Sequence, residues 1–223
     1  MLWNRGWIIA ALMSVVIGVS AACGTSSATA TSPSPTAAVS GSNARSGPAA
    51  GGAAGAVASL STSGFTLSTS AGQNVTVNEA ASTKYQKGTS SISASAITTG
   101  QQVLVLGTTS GTTIVATQVI VQPSGGTGSA TSSAAGVIPF QPGAPTTSKQ
   151  VGQIPANYSQ GSGTIVSGTA ANGAIEAALA AYPGGIVDRV VQLSNGEYEV
   201  HNIGVNWPHH IFVSQEFQVV GAN

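Results

Sequence analysis

Charge is what this sequence lacks most. Its 223 residues include six Lys and Arg and six Asp and Glu, whereas about a quarter of the residues of an ordinary soluble domain are charged. Basic stripes are excluded, and with them a nucleic-acid surface that works by neutralising phosphates. The acids are unevenly placed: Glu176, Asp188, Glu197, Glu199 and Glu216 fall in the last fifty residues, with only Arg189 against them. Cysteine occurs once, at Cys23. An intramolecular disulfide, a Cys-based zinc site and a CxxC redox pair are therefore impossible. No Ser, Cys or carboxylate pair stands in a recognisable nucleophile motif, which argues against an enzyme, and no cofactor is implied.

What is there begins with an address. Residues 1–22 combine a short segment carrying Arg5, an apolar stretch from Trp7 to Val19, and then small residues, the three zones of an export signal. The ending, Val19-Ser20-Ala21-Ala22-Cys23-Gly24, resembles the lipobox of bacterial lipoproteins, with Ser20 standing where that family usually has Leu. The resemblance implies a diacylglycerol on Cys23 and a cell-membrane location on the extracytoplasmic face. Each buried CH₂ of the lipid would contribute about 0.8 kcal/mol to anchoring. Two other readings stay open. Cys23 is then a spectator thiol just past an ordinary cleavage site, or the apolar segment stays on as an uncleaved anchor.

Residues 23–53 are mostly Ser, Thr, Ala, Pro and Gly without apolar periodicity. Nothing in such a segment offsets the entropy cost of ordering it, so a disordered tether is expected. Residues 123–160, with Pro139, Pro142, Pro145 and Pro155, are expected to be a second linker. Between them, residues 54–122 read as short strands. Phe65-Thr66-Leu67-Ser68 and Asn74-Val75-Thr76-Val77 alternate apolar with polar around a turn at Ala71-Gly72, the half-buried strand signature. Val103-Leu104-Val105-Leu106 is continuously apolar, which predicts a strand buried on both faces. Residues 112–121 give a last β-branched strand, and 89–99 has room for a helical turn. Five or six strands in this length predict a small, closed or nearly closed barrel.

The order Gly55-Ala56-Val57, Phe65-Thr66-Leu67, Val75-Thr76-Val77, Thr83-Lys84-Tyr85 and Ile97-Thr98-Thr99-Gly100-Gln101-Gln102-Val103 is similar to the bacterial domain of unknown function 5666. That resemblance implies an OB-like β-barrel of a secreted or surface protein, with no catalytic residues to carry over. Nucleic-acid binding on such a barrel uses aromatic platforms and basic grooves. Only Phe65, Tyr85, Lys84 and Lys87 are on offer here, and they read better as core and surface.

Residues 161–223 change pattern. Thr169 can cap a helix over 170–181 whose Ile175, Ala178, Leu179 and Tyr182 share one face, and Pro183-Gly184-Gly185 stops it. A strand over 186–193, a type I′ hairpin at Asn195-Gly196 and a returning strand over 197–203 follow. Two shorter strands complete the module. The stretches Val187-Asp188-Arg189-Val190, Asn195-Gly196-Glu197-Tyr198-Glu199-Val200-His201 and Phe217-Gln218-Val219-Val220-Gly221, behind the helix, are similar to PepSY-like domains. These are thought to bind or restrain protein partners, and bring no catalytic residues. The expected fold class is thus mainly β with an α+β C-terminal module: a small OB-like barrel plus one helix on an antiparallel sheet, joined by disordered linkers.

All three histidines, His201, His209 and His210, lie in that last module. His201 and Glu199 share a strand face by the period of two, with Glu197 beside them. His209 and His210 flank the next turn, so one of them at most joins that face easily. Imidazole and carboxylate together suit zinc or copper, which makes His201, His209, His210 and Glu199 candidate ligands. Three readings stay open: decoration of an exposed sheet, a metal- or pH-sensing role, and acid–base catalysis. Tyr198 and Trp207 are candidate contacts for a partner. The expected function is a non-enzymatic surface lipoprotein that binds a protein, peptide or envelope component, with metal binding as the alternative. Nucleic acid is not an expected partner.

Overall fold

The computed structural model describes residues 47–123 and 150–223. The export segment, Cys23, most of the expected tether and most of the expected linker lie outside them. Strand β1 (Ala49–Ser61) opens the described chain, followed by β2 (Gly64–Thr69), β3 (Asn74–Lys87), β4 (Ser90–Ser91), a 3₁₀ turn at Ala94–Ala96, β5 (Gln102–Ser110) and β6 (Thr113–Val121). The neighbours run β1–β2–β3–β6–β5 and back to β1, all antiparallel except the parallel pair β3–β6. This is a closed five-stranded barrel with an OB-like order. Alternation fills it: Val57, Phe65, Leu67, Val75, Val77, Val103, Val105, Ile114 and Val119 point inward and are buried. The long β3 breaks register between Glu79 and Lys84. Thr83 pins the irregularity, accepting from Ala80 N at 2.9 Å and donating to the Ala116 carbonyl at 2.7 Å.

The C-terminal part comprises β7 (Val151–Gly152), β8 (Thr164–Ile165), α1 (Gly168–Ala181), β9 (Ile186–Gln192), β10 (Tyr198–Ile203), β11 (His210–Val213) and β12 (Val219–Ala222). Strands β9 to β12 pair antiparallel in chain order, with β7 on the far edge. The helix buries Ala171, Ala174, Ile175, Ala178 and Leu179 against this sheet. It starts earlier than the sequence suggests: Ser167 is the N-cap and makes no side-chain capping bond, so Thr169 lies inside the first turn. The Asn195-Gly196 loop also differs. Gly196 has φ +87°, whereas no non-glycine residue there has positive φ among the described residues. A type I′ turn needs positive φ at both central residues. Gly196 N instead donates to the Leu193 carbonyl at 2.9 Å, and Leu193 N to that of Glu197 at 2.8 Å, which makes a longer loop with the glycine alone in the left-handed region.

The barrel and the helix–sheet part share one sheet. Gly52 and Ala53 of β1 pair with Val187 and Ile186 of β9, so β1 lies at once in the barrel wall and beside the C-terminal strands. The contact depends on missing side chains. A Cβ on Gly51 would sit 2.1 Å from the Val187 carbonyl oxygen, and one on Gly52 would sit 2.4 Å from that of Val105 and 3.2 Å from Ile175 Cγ2. Helix α1 then packs on the barrel's outer wall, which explains the apolar run in β5. Val103 and Val105 face the barrel interior, while Leu104 and Leu106 belong to the core under the helix.

These close approaches give a test. Replacing a strand glycine with Ala where there is room stabilises a protein by about 0.4–1 kcal/mol through the unfolded chain. Gly52→Ala is expected to do the opposite, lowering unfolding free energy by about 2 kcal/mol through overpacking against backbone. Gly47→Ala, with nothing within 4 Å of the added atom, is expected to be neutral or slightly stabilising. Urea titrations of the two variants measure the contrast, and equal midpoints would mean the junction can yield.

Candidate functional site

Alternation along β9, β10 and β11 gives their sheet two unlike faces. Val190, Tyr198, Val200, Ile211 and Val213 lie under the helix. The opposite face carries Arg189, Val191, Glu199, His201, His210 and Phe212. His201 stands directly across from His210 on one side and Arg189 on the other. The register slips between His201 and Asn202, which pair with Arg189 and Val187 respectively. Asp188 is thus the extra residue of a β-bulge, a device that re-aims a side chain, and here it turns Asp188 toward the face of its neighbour Arg189.

The result is a chain of contacts. His201 Nδ1 lies 2.6 Å from Asp188 Oδ1, whose other oxygen accepts from Arg189 Nη1 at 3.3 Å. His210 Nδ1 lies 2.6 Å from Glu199 Oε1. Tyr158 donates its hydroxyl to the same oxygen at 3.1 Å and stands edge-on to Phe212 with ring centres 4.8 Å apart. The Tyr158 oxygen is also 3.1 Å from His210 Nδ1. The two imidazoles have centres 5.2 Å apart and planes inclined by 55°. Glu199 is 2% exposed, so a charge there depends on these two donors. Burial first, and then the Glu199 carboxylate, push the Tyr158 phenol well above its ordinary value. It therefore stays protonated and remains a donor. A carboxylate only accepts, so in each pairing Nδ1 is the donor.

The expected site residues are thus divided. Glu199, His201 and His210 come together. His209, one residue out of phase, is exposed and its Nδ1 lies 3.2 Å from the Asn202 carbonyl oxygen. Glu197 sits in the hairpin loop with Asn195. Tyr198 and Trp207 are core residues, 7% and 6% exposed; Tyr198 stacks with Phe217, and Trp207 stands edge-on to Tyr182. Little of either ring is left for a partner. Cys23 lies outside the described residues. Three site residues were not singled out from sequence: Asp188, Arg189 and Tyr158. The scarcity of charge was a usable signal for the first two, since Arg189 is the only base among the late acids. Tyr158 falls in a stretch read as linker, yet Ile154 and Tyr158 pack on Val191, Leu193 and Phe212 and cover this sheet face.

The chain matches no protein-family model, no curated protein and no solved structure. Its chemistry must be read from the site itself. The cluster offers two carboxylate-oriented imidazoles, one guanidinium and one protonated phenol. Among the described residues it holds no Ser or Cys beside a base.

Removing one member of a buried ionic group leaves its partners unsatisfied. Tyr158→Phe keeps the ring against Phe212 and deletes only the hydroxyl, and is expected to cost about 1.5 kcal/mol. Glu199→Ala strands both His210 and Tyr158 and is expected to cost about twice that. Guanidinium denaturation provides the comparison; a neutral Tyr158→Phe would show that water replaces the phenol at no loss.

Proposed function

We propose that this chain is an exported, lipid-anchored protein of the extracytoplasmic face of the cell membrane, and that its folded part binds a ligand instead of catalysing a reaction. The observation that carries the reading is the placement of the sole thiol. Cys23 follows a basic, apolar and small-residue segment at the one position where lipidation uses a cysteine. Among the described residues no helix is long and apolar enough to cross a membrane.

Two features support a binding role for the rest. The barrel offers little of the stacking platform that single-stranded nucleic acid uses: of its two aromatic residues, Phe65 lies in the interior, 3% exposed, and only Tyr85 is partly exposed. Among the described residues, the polar cluster on the C-terminal sheet has no Ser or Cys paired with an activating base. The resemblances to the domain of unknown function 5666 and to PepSY-like domains fit the same picture. Both imply exported proteins, and the second implies a protein or peptide partner.

Growth with labelled palmitate tests the anchor. Label is expected on the wild-type chain and absent from Cys23→Ala, which is expected in the soluble extracytoplasmic fraction. No label on wild type, or undiminished label on the variant, overturns it.

A further inference from the structure

We propose that His201 and His210 form an unassigned zinc site on the outer face of the C-terminal sheet, binding Zn²⁺ through their Nε2 atoms. This goes beyond the anchored-binder reading and does not depend on it. Metal-binding histidines usually donate their other ring nitrogen to a carboxylate, which fixes the tautomer and raises ligand basicity. Both histidines have this arrangement in place, His201 on Asp188 and His210 on Glu199, at 2.6 Å each. In the neutral imidazole, a proton on Nδ1 leaves the lone pair on Nε2. Neither Nε2 has a hydrogen-bond partner among the described residues, and neither is among the fully buried unpartnered atoms.

The spacing of the two rings admits a shared ion. A metal about 2.0 Å from each Nε2 lies about 3.2 Å from each ring centre. Where both Nε2 atoms face one ion, centres 5.2 Å apart subtend about 110° at it, the tetrahedral angle that zinc adopts. A square-planar ion such as Cu²⁺ wants about 90° between neighbouring ligands, which would need the rings closer together. Hard cations are disfavoured, since Mg²⁺ and Ca²⁺ take oxygen ligands.

The two carboxylates are positioning groups. Asp188 uses one oxygen on His201 and the other on Arg189, and Glu199 Oε1 holds both His210 and Tyr158. No group of three or more His, Cys, Asp or Glu side chains is arranged to hold a metal among the described residues. The site is therefore a two-histidine one, one protein ligand short of the three that open zinc sites usually have, and water would fill the remaining positions.

Calorimetric titration of the full-length chain with Zn²⁺ tests this, in a Cys23→Ala background that removes the only thiol. One Zn²⁺ per chain with a micromolar Kd is expected, and no heat with Mg²⁺. His201→Gln and His210→Gln are each expected to weaken binding at least tenfold. Asp188→Asn, which touches no metal, is expected to weaken it about tenfold, and His209→Ala to leave it unchanged. Thermal melts guard against misfolding: Zn²⁺ raises the Tm of the parent and of His209→Ala, and leaves a cooperatively melting His201→Gln unmoved. The proposal is overturned by absence of binding at about 100 µM Zn²⁺. It is equally overturned by full affinity in His201→Gln, or by loss of binding in His209→Ala alone.

Discussion

The close approach of β1 to β9 is the constraint on which the rest of the structure depends. Strand β1 has to be a barrel stave, a neighbour to β9 and a floor for helix α1 at the same place. A strand can do all three only if its side chains are almost absent. The run Ala49-Ala50-Gly51-Gly52-Ala53-Ala54-Gly55-Ala56 meets that requirement, and the contact distances at Gly51 and Gly52 show that backbone occupies the space a Cβ would need. Glycine inside a strand often marks such an approach. The described residues from 47 onward consequently belong to one compact unit, in which Ile186 of β9 contributes to the barrel's own core.

Much of this was legible from sequence, and the failures share a cause. The barrel strands, the apolar face of the helix and the hairpin position all follow from periodicity, because each element buries one face of its own chain segment. The doubly apolar run in β5 was legible too, although what covers its second face was not. Residues 49–53 were misleading. Small residues without periodicity read as a tether, since composition cannot separate a segment that has nothing to bury from one that others are buried against. The same holds for Ile154 and Tyr158. Their surroundings are rich in Pro, Gly and Ser, and only the tertiary structure shows that they close over Val191 and Phe212.

The candidate site divides along similar lines. Period two correctly put Glu199 and His201 on one face, and the turn geometry allowed only one of His209 and His210 to join them. That the one is His210 follows from β10–β11 register, which a sequence does not print. Asp188 was beyond reach for a sharper reason. By strict alternation it should face away from Arg189, and the bulge opposite His201 cancels that expectation. In a chain with twelve charged residues, three of them, with two of the three histidines, meet on one sheet face. Such a gathering costs desolvation energy and is not required to close the core, which is complete on the helix side.

The bulge also ties the site to the barrel. Val187 is the last residue of β9 paired with β1, and Asp188 is the next. Beyond it β9 changes neighbours, taking β8 at Val191 and Gln192. A strand that leaves one partner and takes another across a gap has to bend between them, and a bulge is the cheapest way to bend it. Asp188 and Arg189 consequently line a groove together with Pro48, Thr109 and Val166, at the seam between barrel and sheet. The orientation of His201 therefore depends, through Asp188, on the glycines of β1. Small residues chosen to fuse two substructures also set the aim of an imidazole on a face of the sheet that they do not touch.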